Sequence, residues 1–213
     1  MAANNEGAFD IQAITDNFKA CRLDDNILQI DEYVEAYSEL SRIFPLLGKV
    51  FGFVSSDVHS KIHILREHRK SSMGEHYATI QGMIAYEVEN NLTECKINKL
   101  DNGSRTLLRL HRALDFITKF LHEVHKAEDN ASTGAIASDV YTETLAKFHP
   151  YLVRKAVQLA TYMLPDKKGL VAKMKKYDYE KTIEILKQFD DAVKPVYETT
   201  QSLYTERNLL NLP

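Results

Sequence analysis

The amino-acid sequence predicts a single all-α domain of about eight helices. Apolar residues recur three and four positions apart through nearly every periodic segment, as expected for helices that each bury one face. No alternating run of β-branched residues is bounded by turn residues, so strands are not expected. The connections are short, and no repeat or low-complexity tract divides the chain. We therefore expect one domain over residues 9–213, preceded by a flexible N-terminus at residues 1–8.

The apolar spacing predicts the helices in order along the chain. The first two are expected at residues 8–22 and 29–40. A third pattern covers residues 42–69, where Pro45 and Gly48 should bend or break the helix, since proline removes a backbone donor. The remaining helices are predicted at residues 75–95, 104–127, 133–146, 150–163, 167–175 and 179–206.

Helix-capping residues lie at several of these boundaries. The segment "DNGS" precedes the helix at 104–127 and offers Ser104 as its N-cap. In "HP", Pro150 is expected at the first position of the next-but-one helix, where its missing N–H costs nothing. The segment "LPDKKG" separates the helices at 150–163 and 167–175.

Composition excludes several classes of protein. The net charge of −3 provides no basic field for nucleic acid, and the two cysteines form no C-x-x-C motif. The opening "MAANNEGAFD" has neither the basic region nor the apolar region of a secretory signal. The apolar run "IFPLLGKVFGFV" is too short to span a membrane. We expect a soluble cytosolic protein in a reducing compartment, with no disulfide scaffold.

One helix carries charges along its apolar side. Within "GFVSSDVHSKIHIL", Asp57 and Lys61 lie on the same stripe as Val54, Ile64 and Leu65. They could form a surface i,i+4 ion pair, worth only about 0.3–0.5 kcal/mol. The apolar neighbours favour a functional role instead, because a buried charge is costly without a strong partner.

A second unusual stripe lies on the helix at 104–127. Arg105, Arg109 and Arg112 are spaced i, i+4, i+7, and Phe116 and Phe120 continue the same face. Cations at a helix N-terminus oppose the helix dipole, whereas an anion bound there would meet both arginine forks and a favourable dipole. The alternative is a solvated basic face.

His149 is the third candidate. It precedes Pro150, which favours an extended backbone, and a neutral imidazole there could make a directed hydrogen bond. The alternative is a histidine that only covers the start of the helix. His59 and His63 have a zinc-compatible spacing but no further ligands, and no hydrolase or nucleotide-binding motif occurs. We expect no metal, no cofactor and no enzymatic activity.

These places together resemble the glycolipid transfer protein family. The resemblance runs from about Phe9 to Pro213 and is carried by "DVHSKI", "SRTLLRLHRAL", "FHPYLVRKAV" and "LYTERNLLNLP". It implies a two-layer helical sandwich that encloses a hydrophobic pocket for two lipid chains, with a polar head-group site at the mouth of the pocket.

The resemblance also implies roles for individual residues. Asp57 matches an aspartate that contacts the amide and hydroxyl of ceramide, and His149 matches a histidine that contacts the amide carbonyl. Tyr151 matches a membrane-facing aromatic residue. Lys61, Arg105 and Arg109 match the phosphate-binding residues of some members, and Arg112 matches an arginine that braces the aspartate.

One departure from the family pattern selects the head group. Sugar-binding members have asparagine at the position of Lys61 and a tryptophan on which the sugar stacks, whereas this chain has no tryptophan. Three cations provide charge-assisted donors, which fit a phosphate better than a neutral sugar. The resemblance therefore implies binding of ceramide-1-phosphate.

Two further surfaces are predicted. Five lysines and one aspartate occur in residues 165–176, and this segment, with Tyr151, Lys167 and Lys168, could dock on an anionic membrane. The alternative is a solvated charged loop. The predicted pocket lining, of which each residue could equally be plain core, is Phe53, Val54, Phe116, Phe120, Leu145, Val153 and Val157.

The expected function is therefore non-enzymatic transfer of ceramide-1-phosphate between membranes by a monomer. The resemblance implies transient, peripheral contact of a cytosolic protein with Golgi, plasma or endosomal membranes. The alternative is a sphingolipid sensor or regulatory protein that uses the same fold without carrying lipid.

Overall fold

The computed structural model describes residues 9–213, and the predicted flexible N-terminus at residues 1–8 lies outside this range. The only sheet in the described residues is one small hairpin, β1 (Lys96–Ile97) and β2 (Leu100–Asp101), and the other regular elements are helices. The helices are α1 (Ile11–Cys21), α2 (Ile30–Ser41), α3 (Ile43–Leu47), α4 (Gly52–Lys70), α5 (Ile80–Glu89), α6 (Gly103–Lys126), α7 (Thr133–Thr144), α8 (Tyr151–Thr161), α9 (Lys167–Lys173) and α10 (Tyr179–Glu206).

The predicted break in the third helical pattern is confirmed. Gly48 ends α3 with φ of 117°, a backbone conformation that residues with a Cβ rarely adopt. A single 3₁₀ turn at Lys49–Phe51 then leads into α4. This break allows α4 to start in a new direction, and α4 packs against both α2 and α6.

The segment at 75–95 is less helical than predicted. Helix α5 begins after Thr79, whose side chain caps the backbone N–H of Gly82, and ends at Glu89. The chain then forms the hairpin, in which Asn98 and Lys99 both adopt positive φ values. Two central residues with positive φ are what a tight two-residue hairpin turn requires, and asparagine tolerates this conformation well.

The N-cap of α6 also differs from the prediction. Asn102, not Ser104, caps the helix: its Oδ1 accepts a hydrogen bond from the backbone N–H of Arg105 at 2.8 Å. Both residue types are good N-caps. The buried Glu87 carboxylate decides between them, because it accepts the backbone N–H groups of Gly103 and Ser104 at 2.7 and 2.8 Å.

The core joins helices that are distant in sequence. Helix α1 packs against α2 and α10, α10 packs against α6, and α6 packs against α4 and α7. Phe18 of α1 makes edge contacts with Tyr33 of α2 and Phe189 of α10, at centroid distances of 5.8 and 6.2 Å. The Tyr37 hydroxyl donates to the Leu110 carbonyl oxygen at 2.5 Å, which ties α2 to α6. Helix α6 is thereby fixed from several sides.

Helix α8 packs against α7 and leaves much apolar surface exposed. Within residues 9–213, no helix has the length and apolar composition needed to cross a membrane.

Candidate functional site

The charged pair on α4 crosses from the interior to the surface. The Lys61 ammonium donates to Asp57 Oδ1 at 2.5 Å, and the Lys61 side chain is 11% exposed, whereas that of Asp57 is 65% exposed. The prediction that both side chains face inward is therefore right for Lys61 and wrong for Asp57. The long lysine stem is buried along the helix and delivers its charge to a carboxylate at the rim.

His149 lies close to this pair. Burial lowers the pKa of His149, the Asp57 carboxylate raises it, and the Lys61 ammonium lowers it further. The residue has the extended backbone expected before proline, with φ of −108° and ψ of 137°. Its Nδ1 lies 2.9 Å from the hydroxyl of Tyr141, a buried residue of α7 that the sequence did not indicate. The half-buried imidazole is therefore within electrostatic range of the charged pair of α4, and its lowered pKa favours the neutral form.

Arg105 and Arg109 point towards shared acceptors. Their guanidinium groups lie 3.8 and 3.6 Å from the two carboxylate oxygens of Asp101 at the end of β2. Arg105 Nε also donates to the Pro213 carbonyl oxygen at 2.6 Å, and an Arg109 nitrogen donates to the same atom at 3.3 Å. The two forks are thus held by one carboxylate and by the last residues of the chain. Asp101 and this tail were not predicted as parts of the site.

Arg112 occupies a different position from the one predicted. Its guanidinium donates to the Leu210 carbonyl oxygen at 2.7 Å and lies 4.0 Å above the ring centre of Phe148. Burial lowers the pKa of Arg112, and the neighbouring Arg109 lowers it further. In the described part of the chain, the ion-pair partner of Asp57 is Lys61. The prediction that Arg112 braces Asp57 is therefore wrong, because this arginine instead links the C-terminal tail to the α7–α8 connection.

The N-terminus of α6 is already satisfied by protein groups. Glu87 and Asn102 accept the backbone N–H groups of its first turn, and the Tyr77 hydroxyl donates to the same Glu87 carboxylate at 2.6 Å. The backbone N–H groups that could have bound an external anion are thus occupied. The negative charge of Glu87 also offsets the unfavourable position of arginines near a helix start. Any anion would therefore be bound by side chains, not by the helix terminus.

Comparison with known proteins identifies the family. A family model described as "Glycolipid transfer protein (GLTP)" matches residues 28–176, more than half of the chain. The chain belongs to the glycolipid transfer protein family. The resemblance inferred from the sequence is thereby confirmed.

Individual members of the family cover the whole chain. The ceramide-1-phosphate transfer protein of Mus musculus is 36% identical over 214 residues, which cover 99% of each chain. The crystal structure of the apo-form of the mouse protein matches with a TM-score of 0.90 and covers 96% of this chain and all of that one. The human protein in complex with 2:0 ceramide-1-phosphate matches with a TM-score of 0.89 at 34% identity, covering 97% of this chain and all of that one. The predicted all-α fold of the family is confirmed.

In this family member the predicted pocket residues lie at the edge of the core. Phe53 is 43% exposed, and the other six predicted residues are partly exposed. The rings of Phe116 and Phe120 are parallel, with their centres 5.8 Å apart. Two surface clefts, of about 460 and 340 Å³, are lined by residues of α6 to α8 and the α8–α9 connection, and neither includes a predicted head-group residue. A lipid pocket lined by these seven residues stays a prediction.

The predicted docking residues divide into two groups. Tyr151 is 63% exposed and Lys168 is also at the surface. Lys167 is buried, and its ammonium donates to the carbonyl oxygens of His125 and Ala127 at 3.0 and 2.7 Å. The assignment of Lys167 to a docking surface is wrong, because this side chain satisfies carbonyl groups that the end of α6 leaves unpaired.

Exposed apolar side chains of α8 and of the two residues that follow it were not predicted from the sequence. Leu152, Leu159, Tyr162 and Met163 are each at least 66% exposed. The sequence did indicate this exposure, because "YLVRKAVQLATYML" has more apolar residues than a single buried helix face can hold. Together with Tyr151 these four residues form the α8 apolar surface.

Proposed function

We propose that this protein carries ceramide-1-phosphate between membranes without changing the lipid chemically. The observation that carries the proposal is that the Lys61–Asp57 pair of α4 acts electrostatically on His149, from a separate part of the chain, while α4 packs against α6, the helix that bears the arginines. The relatives that match the full chain, named as ceramide-1-phosphate transfer proteins, support the same ligand.

The chemistry of each group suits one part of this ligand. Lys61, Arg105 and Arg109 supply charge-assisted donors for the phosphate oxygens, and arginine can bind two of them at once. The Asp57 carboxylate accepts hydrogen bonds from the amide N–H and the hydroxyl of ceramide. His149 donates to the amide carbonyl oxygen. A phosphate would take the place of the Pro213 backbone oxygen on Arg105 and Arg109, and each guanidinium could then bind two phosphate oxygens.

A neutral sugar would be a poor ligand for the same groups. Sugar rings bind well when an aromatic side chain offers a broad apolar face, and the chain contains no tryptophan. A sugar would also offer only neutral acceptors to Lys61, Arg105 and Arg109, and such hydrogen bonds are weaker than those to phosphate oxygens. The site should therefore select phosphate over carbohydrate.

The lipid chains require an enclosed pocket. At about 0.8 kcal/mol per CH₂ group, two long chains held in water would cost on the order of 20 kcal/mol, which the head-group contacts could not offset. We propose that the helical layers part to admit the chains between the residues at the edge of the core. The partly exposed positions of Phe116, Phe120, Val153 and Val157 are compatible with this movement.

Membrane contact would be made by the α8 apolar surface. Exposed apolar side chains of this number are unusual on a monomer and are typical of a binding surface. Exposed Arg154, Lys155 and Lys168 could add attraction to anionic lipid, each contributing about 1 kcal/mol near the surface. This docking would be peripheral and transient, on the cytosolic face of Golgi, plasma or endosomal membranes.

Vesicle-to-vesicle transfer tests the proposal. Donor vesicles would contain either ceramide-1-phosphate, ceramide or galactosylceramide at equal mole fraction, and acceptor vesicles would be separated and analysed by mass spectrometry. We expect rapid transfer of intact ceramide-1-phosphate and little transfer of galactosylceramide. Equal transfer of the two would contradict the phosphate assignment, binding without transfer would indicate a sensor, and a modified lipid would indicate an enzyme.

A further inference from the structure

We infer that Tyr141 is a positioning residue that holds His149 in the tautomer whose Nε2–H can donate to the amide carbonyl of the lipid. This inference rests on the proposed function, in which His149 contacts the ceramide amide.

The geometry brings the two side chains together across a short loop. Tyr141 lies in the last turn of α7, and a 3₁₀ turn at Ala146–Phe148 reverses the chain so that residue 149 returns to residue 141. Backbone hydrogen bonds fix this turn, since the N–H of His149 donates to the Ala146 carbonyl oxygen at 3.2 Å. The Tyr141 hydroxyl then lies 2.9 Å from His149 Nδ1, and the two rings are 5.7 Å apart between centres.

The protonation of both partners determines the direction of this hydrogen bond. Burial lowers the pKa of His149, which favours the neutral ring with one donor and one acceptor nitrogen. Burial raises the pKa of Tyr141, with Arg154 acting in the opposite direction, so the phenol keeps its proton. A phenolic O–H is a donor that needs an acceptor when it is buried, and Nδ1 is the acceptor within reach.

The hydrogen bond at Nδ1 determines whether His149 Nε2, on the opposite side of the imidazole ring, carries a proton. When Nδ1 accepts from Tyr141, the proton of the neutral imidazole must be on Nε2. An amide carbonyl oxygen can only accept a hydrogen bond, so the Nε2–H tautomer binds it and the other tautomer presents a lone pair to it. The charged groups that influence His149 are Asp57 and Lys61 of α4, and neither takes the place of the Tyr141 hydroxyl at Nδ1.

Tyr141→Phe removes the hydroxyl and retains the ring. The direct measurement is a long-range ¹H–¹⁵N correlation spectrum of the lipid-free protein with ¹⁵N-labelled histidine. We expect His149 to be the Nε2–H tautomer in the wild type and a mixture of both tautomers in the variant. Tyr86→Phe is the matched control. Tyr86 lies on α5, is partly buried, and contacts Met73 Sδ through its hydroxyl at 3.1 Å.

The functional measurement is ceramide-1-phosphate transfer. Tyr141→Phe should reduce transfer by about two- to tenfold, the range expected for one neutral hydrogen bond, while Tyr86→Phe should not. In a His149→Leu background, Tyr141→Phe should cause no further loss, because its effect depends on the imidazole. A thermal unfolding midpoint comparable with that of Tyr86→Phe would exclude a general loss of structure.

Two outcomes would overturn the inference: an Nδ1–H tautomer in the wild type, or a tautomer that is unchanged in Tyr141→Phe. Additive effects of the two substitutions would also contradict it. If the wild-type protein transferred no ceramide-1-phosphate, the proposed function would fail, yet the spectrum of the lipid-free protein would still decide the role of Tyr141.

Discussion

The guanidinium carbon of Arg112 lies 4.0 Å above the ring centre of Phe148, while a nitrogen of the same group donates to the Leu210 carbonyl oxygen at 2.7 Å. One side chain of α6 thus joins two segments that are about 60 residues apart in sequence. Phe148 immediately precedes His149, and Leu210 lies three residues before Pro213, whose backbone oxygen accepts hydrogen bonds from Arg105 and Arg109. Arg112 therefore fixes both halves of the candidate site without a contact to Asp57.

Arg112→Leu should destabilise the protein and loosen the site together. The variant loses a cation–π contact and a hydrogen bond from a charged donor, so we expect the free energy of unfolding to fall by about 2–3 kcal/mol in urea titrations. Arg112→Lys keeps the charge but not the planar stacking, so its free energy of unfolding should lie between those of the wild type and Arg112→Leu. Arg154→Leu on exposed α8 is the control. An unchanged stability of Arg112→Leu would contradict the structural role.

The buried Glu87 carboxylate should be essential for stability. It is completely buried and accepts three hydrogen bonds, from Tyr77, Gly103 and Ser104. Glu87→Gln retains the shape but removes the charge and directs an amide NH₂ at one of these donors, so we expect a loss of about 2–3 kcal/mol. Exposed Glu89→Gln, on the same helix, should change the free energy of unfolding by less than about 0.5 kcal/mol. Equal effects of the two substitutions in urea unfolding would contradict the prediction.

His111 should make stability depend on pH. Burial lowers its pKa to about 4, and its Nε2 pairs with Gln201 Oε1 at 2.8 Å while its ring stacks on Tyr197 at 4.4 Å. Because the unfolded chain binds this proton near pH 6.5 and the folded chain only near pH 4, the unfolded state holds more protons between these values. The free energy of unfolding should therefore fall as the pH is lowered through this window.

Each unit of pKa difference corresponds to about 1.4 kcal/mol, so the loss should reach about 3 kcal/mol once the pH falls below 4. Urea unfolding at pH 7, 6, 5 and 4 measures it. His111→Phe is the matched variant, since it keeps an aromatic ring at the stack and does not titrate. If both proteins lost stability equally over this range, other groups would be responsible.

Most helices were predictable from the sequence because their signals are local. The apolar period, Pro45 with Gly48, and the proline after His149 each act within a few residues of the structure that they determine. The choice between Asn102 and Ser104 as N-cap was different, because it depends on Glu87, which is 15 positions from Asn102 and packs only in the folded chain.

The same distinction applies to the site. The positions on α4 and α6 followed from spacing, and Lys61 is buried as expected. The contacts of Arg112 with Leu210 and of Lys167 with Ala127 connect residues 98 and 40 positions apart. The apolar period carries no such information. A lysine whose ammonium caps the carbonyl groups of a distant helix therefore looks the same in sequence as a lysine that faces a membrane.

Asp57 and Lys61 should have separable effects on lipid binding, although they form one ion pair in the structure. Asp57→Val removes the proposed acceptor for the amide and hydroxyl that every ceramide carries, so binding of both ceramide and ceramide-1-phosphate should weaken. It also leaves the Lys61 ammonium, whose stem is buried, without its carboxylate, which should lower stability as well.

Lys61→Ala removes one donor to the phosphate and leaves a carboxylate that water already reaches, since the Asp57 side chain is 65% exposed. A charge-assisted hydrogen bond contributes about 1.5–3 kcal/mol, so affinity for ceramide-1-phosphate should fall by roughly ten- to a hundredfold while affinity for ceramide changes little. Lys19→Ala, at the surface of α1, is the control for loss of a positive charge. Binding of both lipids to each single variant and to the double variant would be measured by intrinsic tyrosine fluorescence. If the two single variants showed the same lipid profile, or if the double variant were no weaker than either, the pair would be a plain ion pair with no separate roles in head-group recognition.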